Sequence, residues 1–337
     1  MTEQRLLEAA RDGDERAFAQ LVEPHRRALQ AHCYRMLGSL ADAEDALQET
    51  LLGAWRGIGR FEGRSSLRSW LYKIATNACL RAIERRPKRV LPIDYGPPAD
   101  PHDPPREPLV ESVWIEPFPD TYVETDSPSP EGRYEQRESV ELAFIAAMQH
   151  LPARQRAILI LRDVLGFSAR ETAEALETTP VSVDSALQRA HKAVEARLPE
   201  RTQQETLRAL DDEDLKQVVE GYVQAWERAD IDAMVAMLSE DAILAMPPEP
   251  HWFTGSEAVG TFLARFPFGP GVRMRLLPTR ANGQVAFGHY VWREEAGAYL
   301  RGELSVLSLR GHEIAEIVVF RSPEAFTGFD LPERIEP

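Results

Sequence analysis

One stretch of the chain decides its fold, residues 168–194, which read SARETAEALETTPVSVDSALQRAHKAV. Ser168 and Glu171 form a capping box, in which two side chains three positions apart close the start of a helix. That helix runs to Leu176, three residues follow, and Pro180 then takes the first position of a longer helix, where proline is favoured. A short helix, a tight turn and a longer helix predict a helix-turn-helix.

The second helix of this motif has an apolar face and a polar face. Val183, Leu187, Ala190 and Val194 recur at intervals of three or four residues and predict the packing side. The outward residues are of the types that contact phosphates and base edges in a DNA groove. These outward residues are Ser182, Ser185, Gln188, Arg189 and Lys192. A helix-turn-helix also occurs as a plain packing motif, so the pattern alone leaves both roles open.

Length and composition predict a globular protein with several domains. The 337 residues exceed one ordinary domain, and a 43% hydrophobic, 28% charged composition excludes disorder throughout. No apolar run of about eighteen residues and no apolar N-terminal segment occurs, so we expect no membrane span and no signal peptide, and a cytoplasmic location. Cys33 and Cys79 lack metal-ligand spacing and are predicted to be buried thiols, with no metal site.

The net charge of −15 is unevenly distributed along the chain. Residues 1–90 carry 16 basic and 12 acidic side chains, whereas residues 91–135 carry 2 and 11. The second segment also contains eleven prolines, a density that forbids helix and sheet interiors. We therefore predict an extended acidic linker at 91–135, with folded units at 1–90, 136–202 and 211–330.

The first unit is predicted to be helical, and its helix from Asp42 to Arg56 carries an unusual polar face. Apolar residues at spacings of three and four predict one buried stripe on this helix. The opposite face presents Asp42, Asp45, Gln48, Glu49, Leu52 and Arg56. A solvated face would explain the charges, but an exposed leucine among acids favours a contact surface for a partner.

A second helix follows the loop Phe61 to Ser66 and carries a basic stripe. Lys73, Asn77 and Arg81 fall four residues apart opposite the apolar side, and Arg85, Arg86 and Arg89 extend the charge. Cations, the aromatic side chains of Trp70 and Tyr72, and an amide together suit single-stranded nucleic acid. The alternative is an ordinary solvated face whose cations favour the negative end of the helix dipole.

The last third of the chain predicts an α+β fold. Leu215, Val218, Tyr222 and Trp226 form an amphipathic stripe, and further helices are predicted at 232–238 and 256–266. Alternating residues then predict strands around 272–276, 284–292, 300–309 and 313–320. The predicted order is helices first, followed by an antiparallel sheet.

The motifs in the first two units resemble those of bacterial extracytoplasmic-function (ECF) sigma factors. They are DAEDALQET at 42–50, FEGRSSLRSWL at 61–71, IATN at 74–77 and the helix-turn-helix region from Leu151 to Ala190. The resemblance covers residues 1–90 and 136–200. It implies an all-α sigma region 2, a helix-turn-helix sigma region 4, and core RNA polymerase and promoter DNA as partners. It also implies that the linker passes through basic channels of the polymerase.

The resemblance assigns roles to the residues named above. The exposed face of 42–56 would bind core polymerase, and the second helix of the helix-turn-helix would bind the minus-35 element. The minus-10 element would be bound by Phe61, Arg64, Ser65, Ser66, Trp70, Lys73, Asn77 and Arg81. Asp184 and Ala186 stand where family members usually carry Lys or Arg, which predicts weaker phosphate binding by the recognition helix.

The C-terminal part resembles the SnoaL-like branch of the NTF2-like fold, an α+β cone with an apolar mouth. Candidate pocket residues are Met246, His251, Trp252, Phe266, His289 and Trp292. Asp241, His251 and His289 are candidate acid or base groups, but none has a second residue at a spacing that orients it, so we expect no catalysis and no cofactor. The alternative is a ligand sensor or SnoaL-type enzyme fused to a DNA-binding module. The order of the sigma regions favours a sigma factor that this domain regulates.

Overall fold

The computed structural model divides the chain into two compact units. It describes residues 2–105, 107–109, 114–123, 135–268 and 271–337. The helical unit comprises Met1–Arg89 and Tyr122–Leu198, and the sheet unit comprises Val90–Thr121 and Pro199–Pro337. Sigma regions 2 and 4 of the sequence analysis therefore lie in one unit, and the first part of the linker belongs to the other.

The helical unit is built from helices whose first turns are closed by side chains. Asp14, Ser39, Ser66, Ser168 and Thr179 each accept a backbone N–H at a helix start, as N-cap residues do. The capping box of Ser168 and Glu171 is confirmed. The helices are α1 (Glu3–Arg11), α2 (Glu15–Val22), α3 (Arg26–Leu37), α4 (Leu40–Gly57), α5 (Leu67–Arg85), α6 (Leu142–Gln149), α7 (Ala153–Leu159), α8 (Ala169–Leu176) and α9 (Pro180–Glu195).

The first core of this unit lies where α3, α4 and α5 meet. Leu71, Ala75 and Cys79 of α5 are fully buried, as are Leu29 and Cys33 of α3. Both cysteines are free and buried, as the sequence predicts. The helix-turn-helix is formed by α8 and α9, and α7 continues into a π-helical turn, Ile160–Val164.

The sheet unit has the predicted α+β composition in a different order. Its elements are α10 (Gln203–Ala209), α11 (Asp212–Glu227), α12 (Ile231–Ala236), β1 (Leu238–Ala245), β2 (Trp252–Thr254), α13 (Ser256–Arg265), β3 (Met274–Ala281), β4 (Gln284–Arg293), β5 (Ala298–Arg310), β6 (Glu313–Phe320) and β7 (Arg334–Ile335). The prediction that all helices precede the sheet is wrong, because β1 and β2 come before α13. The helix predicted at 232–238 ends at Ala236, where the chain turns into β1.

The sheet has the strand order β2-β1-β6-β5-β4-β3, with β7 paired to β5. Most pairs are antiparallel, but β1 and β6 run parallel. Register shifts in β4–β5 at His289/Tyr290 and in β5–β6 at Ser308/Leu309 bend the strands. Tyr222 and Trp226 of α11 pack into the core with Phe287 of β4.

The described residues of the linker up to Thr121 belong to the sheet unit, and one helical turn among them corrects the prediction of a linker extended throughout. Pro92–Tyr95 forms one helical turn, and Ile115 and Phe118 are fully buried in the sheet unit. Phe118 N–H donates to Asn282 Oδ1 at 2.9 Å, and Asn282 N–H donates to the carbonyl oxygen of Phe118 at 2.8 Å. The prolines keep this segment from forming longer regular elements, and hydrogen bonds and buried apolar side chains hold it on the sheet unit. Residues 106, 110–113 and 124–134 of the predicted linker lie outside the described part.

Candidate nucleic-acid interface and sheet-unit cavity

The outer face of α4 presents five of the six predicted polymerase-binding residues to solvent. They are Asp45, Gln48, Glu49, Leu52 and Arg56. Leu52 is 54% exposed, which is unusual for a large apolar side chain in a unit with a well-formed core. Acidic, amide and apolar groups therefore form one continuous surface on this helix.

Asp42 does not belong to that face, and its predicted exposure is wrong. Its side chain is 8% exposed and accepts hydrogen bonds from Arg89 Nε at 3.0 Å and Nη2 at 2.7 Å. Arg86 also pairs with Asp42. A buried carboxylate needs such partners, because removing it from water is costly. Arg86 and Arg89, counted in the sequence as part of the basic stripe, therefore neutralise Asp42.

The loop before α5 divides into a buried part and an exposed part. Phe61 is buried, and its ring lies 4.9 Å from that of half-buried Trp70, centroid to centroid. Arg64, Ser65 and Ser66 are exposed, although Ser66 also caps α5 by accepting from the Ser69 N–H at 3.0 Å. Tyr72, predicted to stack on a base, is instead 2% exposed and packs edge-on against Phe167.

The predicted minus-10 face of α5 is covered by the helix-turn-helix. Lys73 Nζ donates to the carbonyl oxygen of Glu174 at 3.3 Å and lies 3.6 Å from Glu177 Oε1. Arg68 Nη2 donates to the carbonyl oxygen of Leu165 at 3.0 Å. Asn77 lines a cleft of about 350 Å³ together with Arg81, Leu80, Arg154, Leu176 and Glu177. Lys73, Asn77 and Arg81 of the predicted minus-10 set therefore lie beside the helix-turn-helix in this structure.

The recognition helix α9 presents its predicted residues as a set. Ser182, Ser185, Gln188, Arg189 and Lys192 are all exposed, and Val183, Ala190 and Val194 are buried. Ala186 is also buried, at 7% exposure, so it belongs to the packing face. Asp184 is exposed, and the weaker phosphate binding predicted from these two positions stays a prediction.

The sheet unit contains a mostly apolar cavity of about 330 Å³ that is partly open to solvent and has one polar end. Met246 and Phe266 line it as predicted, together with Trp226, Leu244, Phe262, Leu263, Val272, Met274, Val291, Val319 and the linker residue Pro105. The polar end is formed by Glu303 and Arg321, which sequence reasoning missed. Glu303 pairs with the candidate residue His289 across β4 and β5. A correct prediction of that strand pairing is the one route by which the sequence could have pointed to Glu303.

Ion pairs organise the polar end of the cavity. Arg321 Nη1 lies 2.8 Å from Glu249 Oε1, and its Nε lies 3.3 Å from Glu303 Oε2. Burial raises the pKa of both carboxyl groups, and Arg321 opposes that rise. Two carboxyl groups therefore share one guanidinium group.

Four predicted pocket residues do not line the cavity. His289 is fully buried behind it, with Nε2 2.8 Å from Ser305 Oγ, and burial lowers its pKa to about 3. Trp292 lies under the Arg273 guanidinium, and the Trp252 indole N–H donates to the carbonyl oxygen of Gly96 at 2.7 Å. His251 lines a much smaller pocket with Asp100, Asp103 and Pro104.

The candidate acid Asp241 lies outside the cavity, on the surface of the sheet unit. Arg310 binds it with two nitrogen–oxygen distances of 2.8 and 3.2 Å, and these bonds lower its pKa. Among the described residues, no cluster of His, Cys, Asp and Glu side chains could hold a metal ion. No helix in that part of the chain is long and apolar enough to cross a membrane.

Comparison with protein families identifies each part of the chain. Residues 21–89 match the model of Sigma-70 region 2, residues 141–194 match Sigma-70, region 4, and residues 219–317 match the SnoaL-like domain. The helical unit thus carries the two sigma regions, and the sheet unit carries the SnoaL-like, NTF2-like cone.

Similarity to whole proteins extends over nearly all of the chain. It is 42% identical over 324 residues to the ECF RNA polymerase sigma factor SigG of Mycobacterium tuberculosis, covering 94% of this chain and 85% of that protein. The RNA polymerase sigma-H factor of Pseudomonas aeruginosa is 29% identical over 58% of this chain and 93% of its own length. The chain belongs to the ECF RNA polymerase sigma factor family.

A solved structure shares the fold of both units. The crystal structure of the M. tuberculosis ECF sigma factor SigJ aligns with a TM-score of 0.60 and 21% identity, covering 93% of this chain and all of that one. The sequence prediction of two helical sigma regions followed by an NTF2-like cone is confirmed.

Proposed function

We propose that the protein is a promoter-specificity subunit that binds core RNA polymerase in the cytoplasm and directs it to promoter DNA. The observation that carries this proposal is the pairing of sigma regions 2 and 4 in one chain that is 42% identical to a sigma factor over almost its full length. The exposed face of α4 is the polymerase contact. The exposed polar face of α9 reads the minus-35 element, and the Phe61–Arg81 segment reads the minus-10 element.

Regulation by the sheet unit is the second part of the proposal. The connector between the two sigma regions begins with residues 90–121, and those residues are held by the sheet unit. Promoter binding requires α8 to leave α5, since Lys73 and Asn77 otherwise face α8. A domain that holds the connector therefore influences how readily the two regions separate, and any ligand shifts that equilibrium only by its differential affinity.

The SnoaL-like domain acts as a regulator rather than as an enzyme in this proposal. His289 has a pKa of about 3 and lies behind the cavity wall, and Asp241 is paired with Arg310 on the surface. A general base must reach the proton that it abstracts. Neither of these two lines the cavity, and His251, the third candidate, lines a separate and much smaller pocket.

Charge reversal on α4 tests the polymerase contact. Asp45→Arg combined with Glu49→Arg should weaken binding to immobilised core polymerase by at least about 2 kcal/mol, roughly thirtyfold, if these acids are buried at the contact. Both residues are exposed, so the fold should be retained. Glu295→Arg with Glu324→Arg, two exposed residues of the sheet unit, is the matched control. Equal retention of both double variants contradicts the assignment of α4, and loss of promoter-directed transcription with the first variant alone supports it.

A further inference from the structure

The linker contributes to the wall of the apolar cavity in the sheet unit. Pro105 is part of its lining, although it is distant in sequence from every other lining residue. Three backbone or indole hydrogen bonds hold the neighbouring linker residues on the same side of the domain. Ala99 N–H donates to Trp252 O at 2.8 Å, Leu109 N–H to Pro248 O at 3.1 Å, and the Trp252 indole to Gly96 O.

The loop that receives these bonds also carries cavity residues. Met246 lines the cavity, and Glu249 of the same loop binds Arg321 at its polar end. The backbone N–H of Arg321 donates to the backbone carbonyl oxygen of Pro247 at 2.9 Å. A molecule inside the cavity would therefore contact Pro105 of the linker, and also Met246, which belongs to the loop that holds the linker.

The size and lining of the cavity define the kind of molecule that fits. A volume of about 330 Å³ is at the lower end of small-molecule sites. At about 30 Å³ for each water-sized group, it holds about ten non-hydrogen atoms. The walls are aliphatic and aromatic, so most of that molecule must be apolar.

The polar end selects the head group of the molecule. Glu249 and Glu303 share the single guanidinium group of Arg321, so the end has no surplus of positive charge for an anion. Arg321 is already engaged by both carboxyl groups, whereas a carboxylate oxygen of Glu303 can accept a further hydrogen bond. A carboxylate head would be repelled here, and an alcohol or amine head would be bound.

We propose that this cavity binds a small amphipathic molecule with a hydrogen-bond-donating, non-anionic head, and that the bound molecule holds linker residues 96–105 and 107–109 on the sheet unit. The effect on the linker deepens the regulatory role proposed above. Because the molecule touches Pro105 only when the linker is docked, binding and docking strengthen each other by the same factor.

Three eight-carbon probes test the head-group chemistry on the full-length protein without polymerase or DNA. Octylamine and 1-octanol should bind in calorimetric titrations, and octanoate should bind at least tenfold more weakly than either. Glu303→Gln should weaken octylamine at least fivefold, and the matched change Glu295→Gln, on an exposed hairpin residue, should leave it unchanged. Failure of both octylamine and 1-octanol to bind, or preferential binding of octanoate, overturns the proposed site.

Amide hydrogen exchange tests the link to the linker. Saturating octylamine should slow exchange at the Ala99 and Leu109 amides at least threefold. The Asn282 amide, which bonds linker residue Phe118 away from the cavity, should not change. Trp252→Phe removes the hydrogen bond to Gly96 without altering the cavity lining. Because docking and binding are coupled, this variant should bind octylamine at least threefold more weakly.

Binding of octylamine with unchanged exchange at Ala99 and Leu109 overturns the coupling. These measurements involve no transcription, so their failure leaves the sigma-factor assignment standing. Likewise, loss of the polymerase assignment would leave the cavity result unchanged.

Discussion

Lys73 Nζ donates a hydrogen bond to the backbone carbonyl oxygen of Glu174 at 3.3 Å, which joins the predicted DNA-binding helix α5 to the helix-turn-helix. A lysine predicted to hold promoter phosphates is thereby held by the chain's own main chain. Around it, Ser69 Oγ donates to Glu171 Oε1 at 3.4 Å, and Glu177 adds its charge. Acidic groups in and just after α8 thus lie beside the α5 side chains that we propose bind promoter phosphates.

Reversing one acid should loosen this contact. In Glu177→Lys, the new cation lies near Lys73 and repels it, so we expect tighter binding of the free protein to a single-stranded minus-10 oligonucleotide. The gain should be at most about fivefold, because exposed pairs contribute no more than about 1 kcal/mol. Fluorescence anisotropy measures it. Glu295→Lys changes the net charge equally, and an equal gain with that variant would show that only overall charge matters.

The two polar residues of α5 should differ in what they recognise. Lys73→Ala should weaken all promoters alike and lower the slope of log affinity against log salt by about one, because one phosphate contact is lost. Asn77→Ala should instead change the base preference at one minus-10 position. Binding to a set of single-base promoter variants at several salt concentrations separates the two effects. A uniform loss with both substitutions would make Asn77 a structural residue.

Asp42 should be needed for the stability of the helical unit, in contrast to Asp45 on the exposed face of the same helix. Asp42→Ala deprives the buried Arg89 of its carboxylate and should destabilise the helical unit by about 3 kcal/mol. Cys33 and Cys79 are the only cysteines of the chain, and both are buried in this unit. Pulsed thiol labelling during urea unfolding therefore reports on the helical unit alone. The matched variant is Asp45→Ala on the exposed face, and a similar shift of its labelling midpoint would contradict the prediction.

His32 should make the helical unit sensitive to acid. Burial, and to a lesser extent the charge of Arg35, lowers its pKa from 6.5 to about 3, and its Nε2 lies 3.0 Å from Thr76 Oγ1. Between these two pH values the unfolded chain binds a proton that the folded chain does not, so stability falls as the pH falls below 6.5. The loss should reach about 2 kcal/mol at pH 5.

The same thiol labelling at pH 7 and pH 5 measures this loss, and His32→Asn should reduce the difference between the two pH values. An unchanged difference in that variant would assign the acid sensitivity to other groups.

The sequence predicts elements whose signals are local. The Ser168–Glu171 capping box, Pro180 at a helix start and the apolar stripe of α9 depend on neighbouring residues, and the structure has all three. The strands predicted around 300–309 and 313–320 are likewise present, and Gly311, at a φ of 60°, lies in the turn between them. The sequence does not predict the eight-residue strand β1 or the three-residue strand β2, whose pairing with distant β6 and with each other leaves no local signal.

Long-range pairing also explains the errors among the site residues. Asp42 looks like part of a polar face until Arg89, 47 positions later, is placed against it. Tyr72 has the spacing of an exposed aromatic residue, but Phe167 of the second sigma region covers it. The polar end of the cavity combines Glu249, Glu303 and Arg321 from three separate segments, and no spacing along the chain reveals such a group.

The sheet unit is discontinuous in sequence, and this affects how the protein can be dissected. A chain cut behind α9 would keep Phe118, which is fully buried, but lose Asn282, the turn residue between β3 and β4 that exchanges two hydrogen bonds with it. Newly exposed apolar side chains promote aggregation. The phenotype of such a truncation would therefore combine the loss of the C-terminal domain with aggregation through the exposed linker. The C-terminal domain therefore cannot be removed by truncation without disturbing the linker. Point substitutions inside the cavity or at the linker contacts test the role of the C-terminal domain without exposing buried linker residues.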